Sequence, residues 1–129
     1  MKLHRSGEDY LEAILMLRRK NGAVRSLDLA EYMGVSKPSI SNATRLLREG
    51  GFLTMDESKL IHLTPLGQEV AERILERHCL LTEGLIALGV DPVTAERDAC
   101  RIEHDLSQQS FDRIKAYFAR QKAAAGEGP

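Results

Sequence analysis

Tryptophan is absent from this 129-residue chain, and the other aromatics amount to three Tyr and three Phe. The core must therefore rest on Leu, Ile, Val, Ala and Met. Cysteine is scarce too: Cys79 and Cys100 alone cannot make the disulfide framework of a small secreted domain, so a reducing cytoplasm is expected. No apolar run approaches the roughly 18 residues needed to span a bilayer. The opening Met1-Lys2-Leu3-His4-Arg5-Ser6 also lacks the apolar stretch of a secretory signal, so no membrane partner is expected. Internal repeats, long linkers and a strong net charge are lacking as well. The formal charge is −1, which by itself suggests no polyanion partner.

The remaining composition, 43% hydrophobic and 29% charged, belongs to a folded globular chain rather than a disordered one. Its charge is unevenly placed. Residues 1–64 carry 10 Lys and Arg against 8 Asp and Glu, and residues 65–129 carry 8 against 11. The first half can approach a nucleic acid more easily than the second.

Leu11, Ile14 and Leu15, with Tyr10 and Leu17, recur at helical spacing. They predict a first helix from about Gly7 to Asn21, capped by Ser6 and stopped at Asn21-Gly22. Ser26 then predicts the cap of a short helix with Leu29, Ala30 and Met33, followed by a tight turn at Gly34. Ser36 caps a second helix with Pro38 in its first turn, where the missing N–H costs little. That helix runs through Ile40, Ala43, Leu46 and Leu47 to Gly50-Gly51. Short helix, turn and capped longer helix make a helix-turn-helix. Gly51–Met55 and Leu60–Thr64 around the polar Asp56-Glu57-Ser58-Lys59 predict a hairpin in the position of a wing. Thr64-Pro65 starts a long helix to about Leu88, with a kink near Gly84. Asp91-Pro92 starts another to about Asp105, Ser107 caps a last helix through Phe118, and the tail from Ala123 is expected to fray. The fold class is mostly α: a winged helix-turn-helix over residues 1–64, then a helical unit over residues 65–129.

The positions read as exposed at the start of this recognition helix are Ser36, Lys37, Ser39, Ser41, Asn42 and Arg45, and Pro38 among them joins the candidate DNA-binding set. Hydroxyls can bond phosphates or bases, Asn can pair with adenine, and Arg can grip guanine in two places. Arg25, Lys37 and Lys59 can reach phosphates from the flanks. These features point to double-stranded DNA, although a helix-turn-helix with a merely solvated polar face can also serve as a protein-binding module.

A second constellation is Cys100-Arg101-Ile102-Glu103-His104. On a helix, Cys100, Glu103 and His104 share one face, and thiolate, carboxylate and imidazole together suit a divalent transition metal. Asp9 and Glu12 share a face of the first helix by the same spacing, and His78 lies midway along the long one. If the three helices meet, six donors converge. Each residue also has a plainer reading: dipole-favoured acids for Asp9 and Glu12, a surface pair for Glu103 and His104, a core thiol for Cys100, and a packed histidine for His78. Cys79, about 100° around the helix from His78, reads as packing. His4 and His62 have no donors close in sequence.

These stretches resemble the DtxR/MntR family of metal-dependent transcriptional repressors, and most closely its short, manganese-regulator-like branch. The likeness covers about residues 5–119. It is carried by Glu8-Asp9-Tyr10-Leu11-Glu12, by Leu29-Ala30 with Val35-Ser36-Lys37-Pro38-Ser39-Ile40, and by Leu63-Thr64-Pro65-Leu66-Gly67. Arg77-His78-Cys79-Leu80-Leu81 and Cys100-Arg101-Ile102-Glu103-His104-Asp105-Leu106-Ser107 complete it. The resemblance implies a homodimer whose subunits each join a winged helix to a helical dimerisation unit, with metal bound where the two meet. Asp9 matches the aspartate of manganese-selective members, and Glu12, His78, Glu103 and His104 match family ligands. Cys100 stands where the short branch has glutamate and looks like the cysteine of iron-responsive members. Thr82 and Glu96 replace the glutamate and histidine of the iron-type ancillary site.

The donor set implies Mn²⁺ first, Fe²⁺ next, and Co²⁺ or Zn²⁺ in vitro. The expected function is a metal sensor that binds palindromic operator DNA and represses metal-transport genes. The alternative is a winged-helix repressor of another signal, with the donors structural. An enzyme is not expected, because the sequence offers no nucleophile–base pair.

Overall fold

The computed structural model describes Leu3 and residues 5–125. Among them it contains six helices and a two-stranded antiparallel sheet, in the order α1 (Arg5–Asn21), α2 (Ser26–Met33), α3 (Lys37–Glu49), β1 (Leu53–Met55), β2 (Ile61–Leu63), α4 (Pro65–Ala87), α5 (Pro92–Ile102) and α6 (Gln108–Ala124). The chain divides into two compact units, Met1–Leu75 and Glu76–Pro129, so that α4 begins in one and ends in the other. No helix of the described residues is long and apolar enough to cross a membrane.

In the first unit, Leu11, Ile14, Leu15 and Leu17 of α1 are buried with Leu29, Ile40, Leu47, Phe52 and Ile61 in one apolar core. Helix α1 starts earlier than the Ser6 cap predicts, and Ser6 lies inside it. The reason is tertiary: Leu3 packs on that core and fills the space where a side chain on Gly7 would stand. The α2 cap also moves by one residue. Arg25 is in extended backbone, bridged to Leu60 of the hairpin, and its N–H is accepted by Asp28 Oδ2 at 3.0 Å. Gly34 closes α2 in the left-handed conformation (φ 68°), which only glycine adopts without strain.

Helix α3 begins as its sequence predicts. Ser36 Oγ accepts the Ser39 N–H at 3.3 Å, and Pro38 sits in the first turn. Its inner face is Ile40, Thr44 and Leu47, whereas Leu46 is exposed. Thr44 can be buried because its hydroxyl donates back to the Ile40 carbonyl at 2.9 Å. The strands pair Leu53 with Leu63, Thr54 with His62 and Met55 with Ile61. Their tip is held by Asp56, which accepts from the Leu60 N–H (2.9 Å) and bonds His62 Nε2 (2.8 Å).

In the second unit, α4 runs without interruption past Gly84, where a kink is predicted. The Phe118 ring occupies the place of a side chain there. Helix α5 is capped by Asp91, which accepts the Thr94 N–H, and it stops at Ile102, short of the predicted Asp105. Ser107 caps α6, which extends to Ala124 and so includes the first two residues of the tail expected to fray. Residues 126–129 of that tail, and His4, lie outside the described residues.

Candidate metal centre and nucleic-acid interface

The donors of the second unit come from α4 and the end of α5. Their approach depends on the way α5 terminates. Glu103 is its C-terminal cap rather than an interior residue. It keeps helical backbone and still donates its N–H to the Ala99 carbonyl (3.0 Å), which preserves the predicted proximity to Cys100. His104 has left the helix and lies in the turn beyond. The shared helical face therefore holds for Cys100 and Glu103, while His104 is presented by a turn.

One donor atom each of His78, Cys100 and Glu103 lies within 4.8 Å of the other two. His78 Nδ1 is 3.2 Å from Glu103 Oε2, and His104 Nε2 is 3.5 Å from Oε1. Glu103 is fully buried. Despite the closeness of the two imidazoles, neither carboxylate oxygen accepts a hydrogen bond from any described residue. The carboxylate thus has both imidazoles as close neighbours and neither as a hydrogen-bond donor. A buried carboxylate is normally hydrogen-bonded, since leaving it otherwise costs several kcal/mol. A divalent cation fits this arrangement: donor atoms that each bind at 2.0–2.3 Å must lie within a few ångströms of one another.

Cys100 is exposed, which excludes the core-thiol reading, and the His104 side chain is almost entirely buried. Cys79 is also exposed, contrary to the packing expected of it. Asp9 and Glu12 lie on α1 in the first unit, Asp9 half-buried and Glu12 buried. Thr82 donates its hydroxyl to the His78 carbonyl at 2.7 Å, and Glu96 is exposed.

Sequence reasoning missed Arg77. This buried guanidinium donates to the carbonyls of Glu103 (3.1 Å) and Leu106 (2.7 Å) and to Gln108 Oε1 (3.1 Å), and it lies 5.3 Å from the centre of the Phe111 ring. A signal was present: Arg77 interrupts the otherwise apolar stripe Val70, Ile74, Leu81 of α4, and charge in such a stripe is normally buried only with partners.

On the first unit, Ser36, Lys37, Pro38, Ser39, Ser41, Asn42 and Arg45 are all exposed at the N-terminal half of α3. Arg45 bonds Glu49 at 2.9 Å and Asn42 at 2.7 Å. Exposed helix-surface pairs at i,i+3 and i,i+4 are worth only about 0.2–0.5 kcal/mol, so both side chains are cheaply exchanged onto another partner. Arg25 spends one donor on the Ser58 carbonyl (2.9 Å) and so braces the hairpin tip. Lys59 stands exposed on that tip in the left-handed conformation (φ 64°). His62, set aside for want of nearby donors in sequence, is paired with Asp56 across the hairpin. That bond, with the Leu60 N–H, holds the Asp56 carboxyl below its ordinary value.

Two family models match the chain: the iron dependent repressor N-terminal DNA binding domain over residues 2–60, and the iron dependent repressor metal binding and dimerisation domain over residues 64–123. The transcriptional regulator MntR of Salmonella typhimurium is 36% identical over 120 residues, covering 93% of this chain and 76% of that protein. The HTH-type transcriptional regulator MntR of Listeria monocytogenes is 38% identical over 109 residues, 84% of this chain and 77% of the relative. Among solved structures, a manganese-dependent transcriptional repressor in complex with manganese superposes with a TM-score of 0.78 at 30% identity, over 88% of this chain and 52% of that one. The chain thus spans about half the length of that structure. Its two units, its winged helix-turn-helix and these matches together show that the chain belongs to the iron-dependent repressor family of metal-dependent transcriptional regulators.

Proposed function

We propose that the chain acts in the cytoplasm as a homodimeric repressor of metal-transport genes, binding palindromic operator DNA when Mn²⁺ is present. The observation that carries this reading is the buried Glu103 carboxylate, which accepts no hydrogen bond from the described residues and is set among His78, His104 and Cys100. His78, Cys100, Glu103 and His104 are the ligands of the second unit in this reading, and Asp9 and Glu12 supply the carboxylates of the first. A divalent cation, when bound, supplies positive charge beside these carboxylates and the thiol. Asp9 and Glu12 ride on α1, which packs on α2, α3 and β2. Any force on those two carboxylates is therefore felt by the reading head. A coupling of about 1–3 kcal/mol, roughly 5–150-fold in affinity, suffices for a switch.

Mn²⁺ is preferred because the relatives are MntR regulators and a manganese-dependent repressor, and because Asp9 and Glu12 offer hard oxygen donors. Cys100 favours a second reading, Fe²⁺, since a thiolate suits a softer ion; Co²⁺ and Zn²⁺ then also bind in vitro. The homodimer is supported by the apolar side chains that the second unit leaves exposed, above all Leu88 and Val93. The DNA contacts are assigned to Ser36, Lys37, Pro38, Ser39, Ser41, Asn42 and Arg45 on α3, with Arg25 and Lys59 reaching phosphates from the flanks. No catalytic role is assigned.

The test is fluorescence anisotropy on a duplex selected from a random pool with Mn²⁺ present, measured with Mn²⁺ or Fe²⁺ and with chelator. Tight binding only with metal, abolished by the Glu103→Leu, His104→Ala double variant, is expected. Equal affinity in chelator, or a double variant that keeps its metal response, overturns the proposal in favour of a repressor with structural donors.

A further inference from the structure

Arg77 precedes the candidate ligand His78 on α4, and its side chain reaches the turn that follows α5. Its Nη1 reaches the backbone carbonyl of Glu103 at 3.1 Å and that of Leu106 at 2.7 Å, and its Nη2 reaches Gln108 Oε1 at 3.1 Å. The carbonyls at a helix C-terminus have no partner within the helix. Arg77 supplies one for Glu103, the residue at which α5 ends. Glu103 is thus fixed at three points. Its N–H is held by the Ala99 carbonyl, its own carbonyl by Arg77, and its carboxylate lies beside His78. Adjacent residues of α4 therefore address the two ends of one amino acid.

We infer that Arg77 is the positioning residue of the metal centre: its planar guanidinium sets the α5–α6 turn, and with it Glu103 and His104, at the distance from α4 that a cation requires. This rests on the metal-site reading above. The planarity matters. A guanidinium offers five donors in a fixed planar fork and stays charged, so it sets its acceptors in one geometry, whereas the three donors of an ammonium rotate about a single nitrogen. The Phe111 ring below it restricts the fork further. The hydrogen bonds of Arg77 go to two backbone carbonyls and to Gln108, so its influence on the metal passes through the backbone and turn that it grips.

The experiment is anaerobic titration of the full chain with Co²⁺ alone. The visible ligand-field bands and the near-ultraviolet thiolate-to-cobalt band are followed, beside urea unfolding of each metal-free variant. The wild type is expected to show the thiolate band and Cys100→Ser to lose it. Arg77→Gln is expected to weaken Co²⁺ binding about 10–100-fold, the range typical of residues that orient metal ligands, and to change the ligand-field envelope. Arg77→Lys should weaken it comparably, because charge without the fork does not set the turn. Phe118→Ala, which loosens the same unit away from the donors, should lower the urea midpoint and leave Co²⁺ affinity within about twofold. Should Arg77→Gln fail to fold, Gln108→Leu removes one acceptor only, and its Co²⁺ affinity is expected to fall in the same direction by more than about twofold.

The outcomes separate. If the wild type shows no thiolate band, or Cys100→Ser keeps it, the metal-site reading falls and this inference with it. If the wild type binds and Cys100→Ser loses the band, three results overturn the positioning role alone. They are Arg77 or Gln108 variants that bind Co²⁺ as the wild type does, full affinity in Arg77→Lys, and a loss in Phe118→Ala as large as in Arg77→Gln.

Discussion

Replacing Glu103 by leucine should make the metal-free protein more stable and the metal-loaded protein less so. The side chain is fully buried, and neither of its oxygens accepts a hydrogen bond from the described residues. Exchanging an ill-satisfied buried ion for an apolar residue of similar volume is often worth about 1–4 kcal/mol. Two imidazoles lie 3.2 and 3.5 Å from the carboxylate and offset part of its cost, so the lower part of that range, about 1–2 kcal/mol, is expected. For a chain of this length each kcal/mol moves Tm by about 3–5 °C, giving a rise of roughly 3–10 °C in EDTA. With Mn²⁺ at about 100 times its Kd the wild type gains about 2.7 kcal/mol by mass action, whereas a variant missing its buried carboxylate gains little.

The two proteins should therefore exchange rank when metal is added. Urea unfolding in EDTA and in Mn²⁺, followed by circular dichroism, reads both halves of this expectation. The reasoning is refuted if Glu103→Leu is destabilised in EDTA by about 3 kcal/mol or more, as happens when one partner of a well-made buried ion pair is removed. The carboxylate would then be a structural partner of the histidines, and the shortage of donors around it would carry no functional meaning.

Three further outcomes are expected. Gly67→Ala should destabilise by about 2 kcal/mol or more despite the roughly 1 kcal/mol that alanine gains in a helix, because its Cβ would stand 2.0 Å from the Phe52 carbonyl oxygen, a backbone atom that cannot swing aside; a urea midpoint at or above wild type would contradict this. The Asp56 carboxyl is held below its ordinary 3.8 by the His62 hydrogen bond and then by the Leu60 N–H. Its contribution is fully present above that value and disappears as pH falls through the lowered one, so the stability gap between wild type and Asp56→Asn should be flat above about pH 5 and close under stronger acid; a gap that widens in acid would reverse the sign. Lys37→Ala should weaken operator binding and lower the slope of log K against log salt by about one for each phosphate that the ammonium neutralises, and an unchanged salt slope would remove Lys37 from the interface.

Most of the architecture was legible because its boundaries are set locally. Ser36 with Pro38, Asp91 with Pro92 and Ser107 each act within one turn, and all three cap helices as their types require. The hairpin was legible for the same reason: two β-prone runs flank four polar residues. The misplacements have distant causes. Ser6 is not a cap because Leu3 packs on the core and draws the helix back. Helix α5 ends at Ile102, although Cys100-Arg101-Ile102-Glu103-His104 contains no glycine or proline, and the partner of the Glu103 carbonyl comes from Arg77, 26 residues earlier. Spacing placed Cys100 and Glu103 together, and the family resemblance named His78. It could not tell that Cys79 and Cys100 are exposed, because periodicity assigns a face without saying what covers it.

In the proposed metal site the residue that ends α5 is also the one assigned the sensing chemistry, and that assignment joins stability to function in the second unit. A helix end leaves a carbonyl to be satisfied, and a metal site must keep a carboxylate poorly satisfied until its cation arrives. Glu103 meets both conditions through different atoms. Its carbonyl is bonded by Arg77, whereas its buried oxygens accept no hydrogen bond from the described residues. The strong backbone anchorage is what allows the weakly solvated carboxylate to stay in place, since a charge on a looser turn would swing out to water. Supplying the carboxylate with hydrogen-bond donors should therefore stabilise the fold and dull the metal response together, while weakening the Arg77 anchorage should harm both.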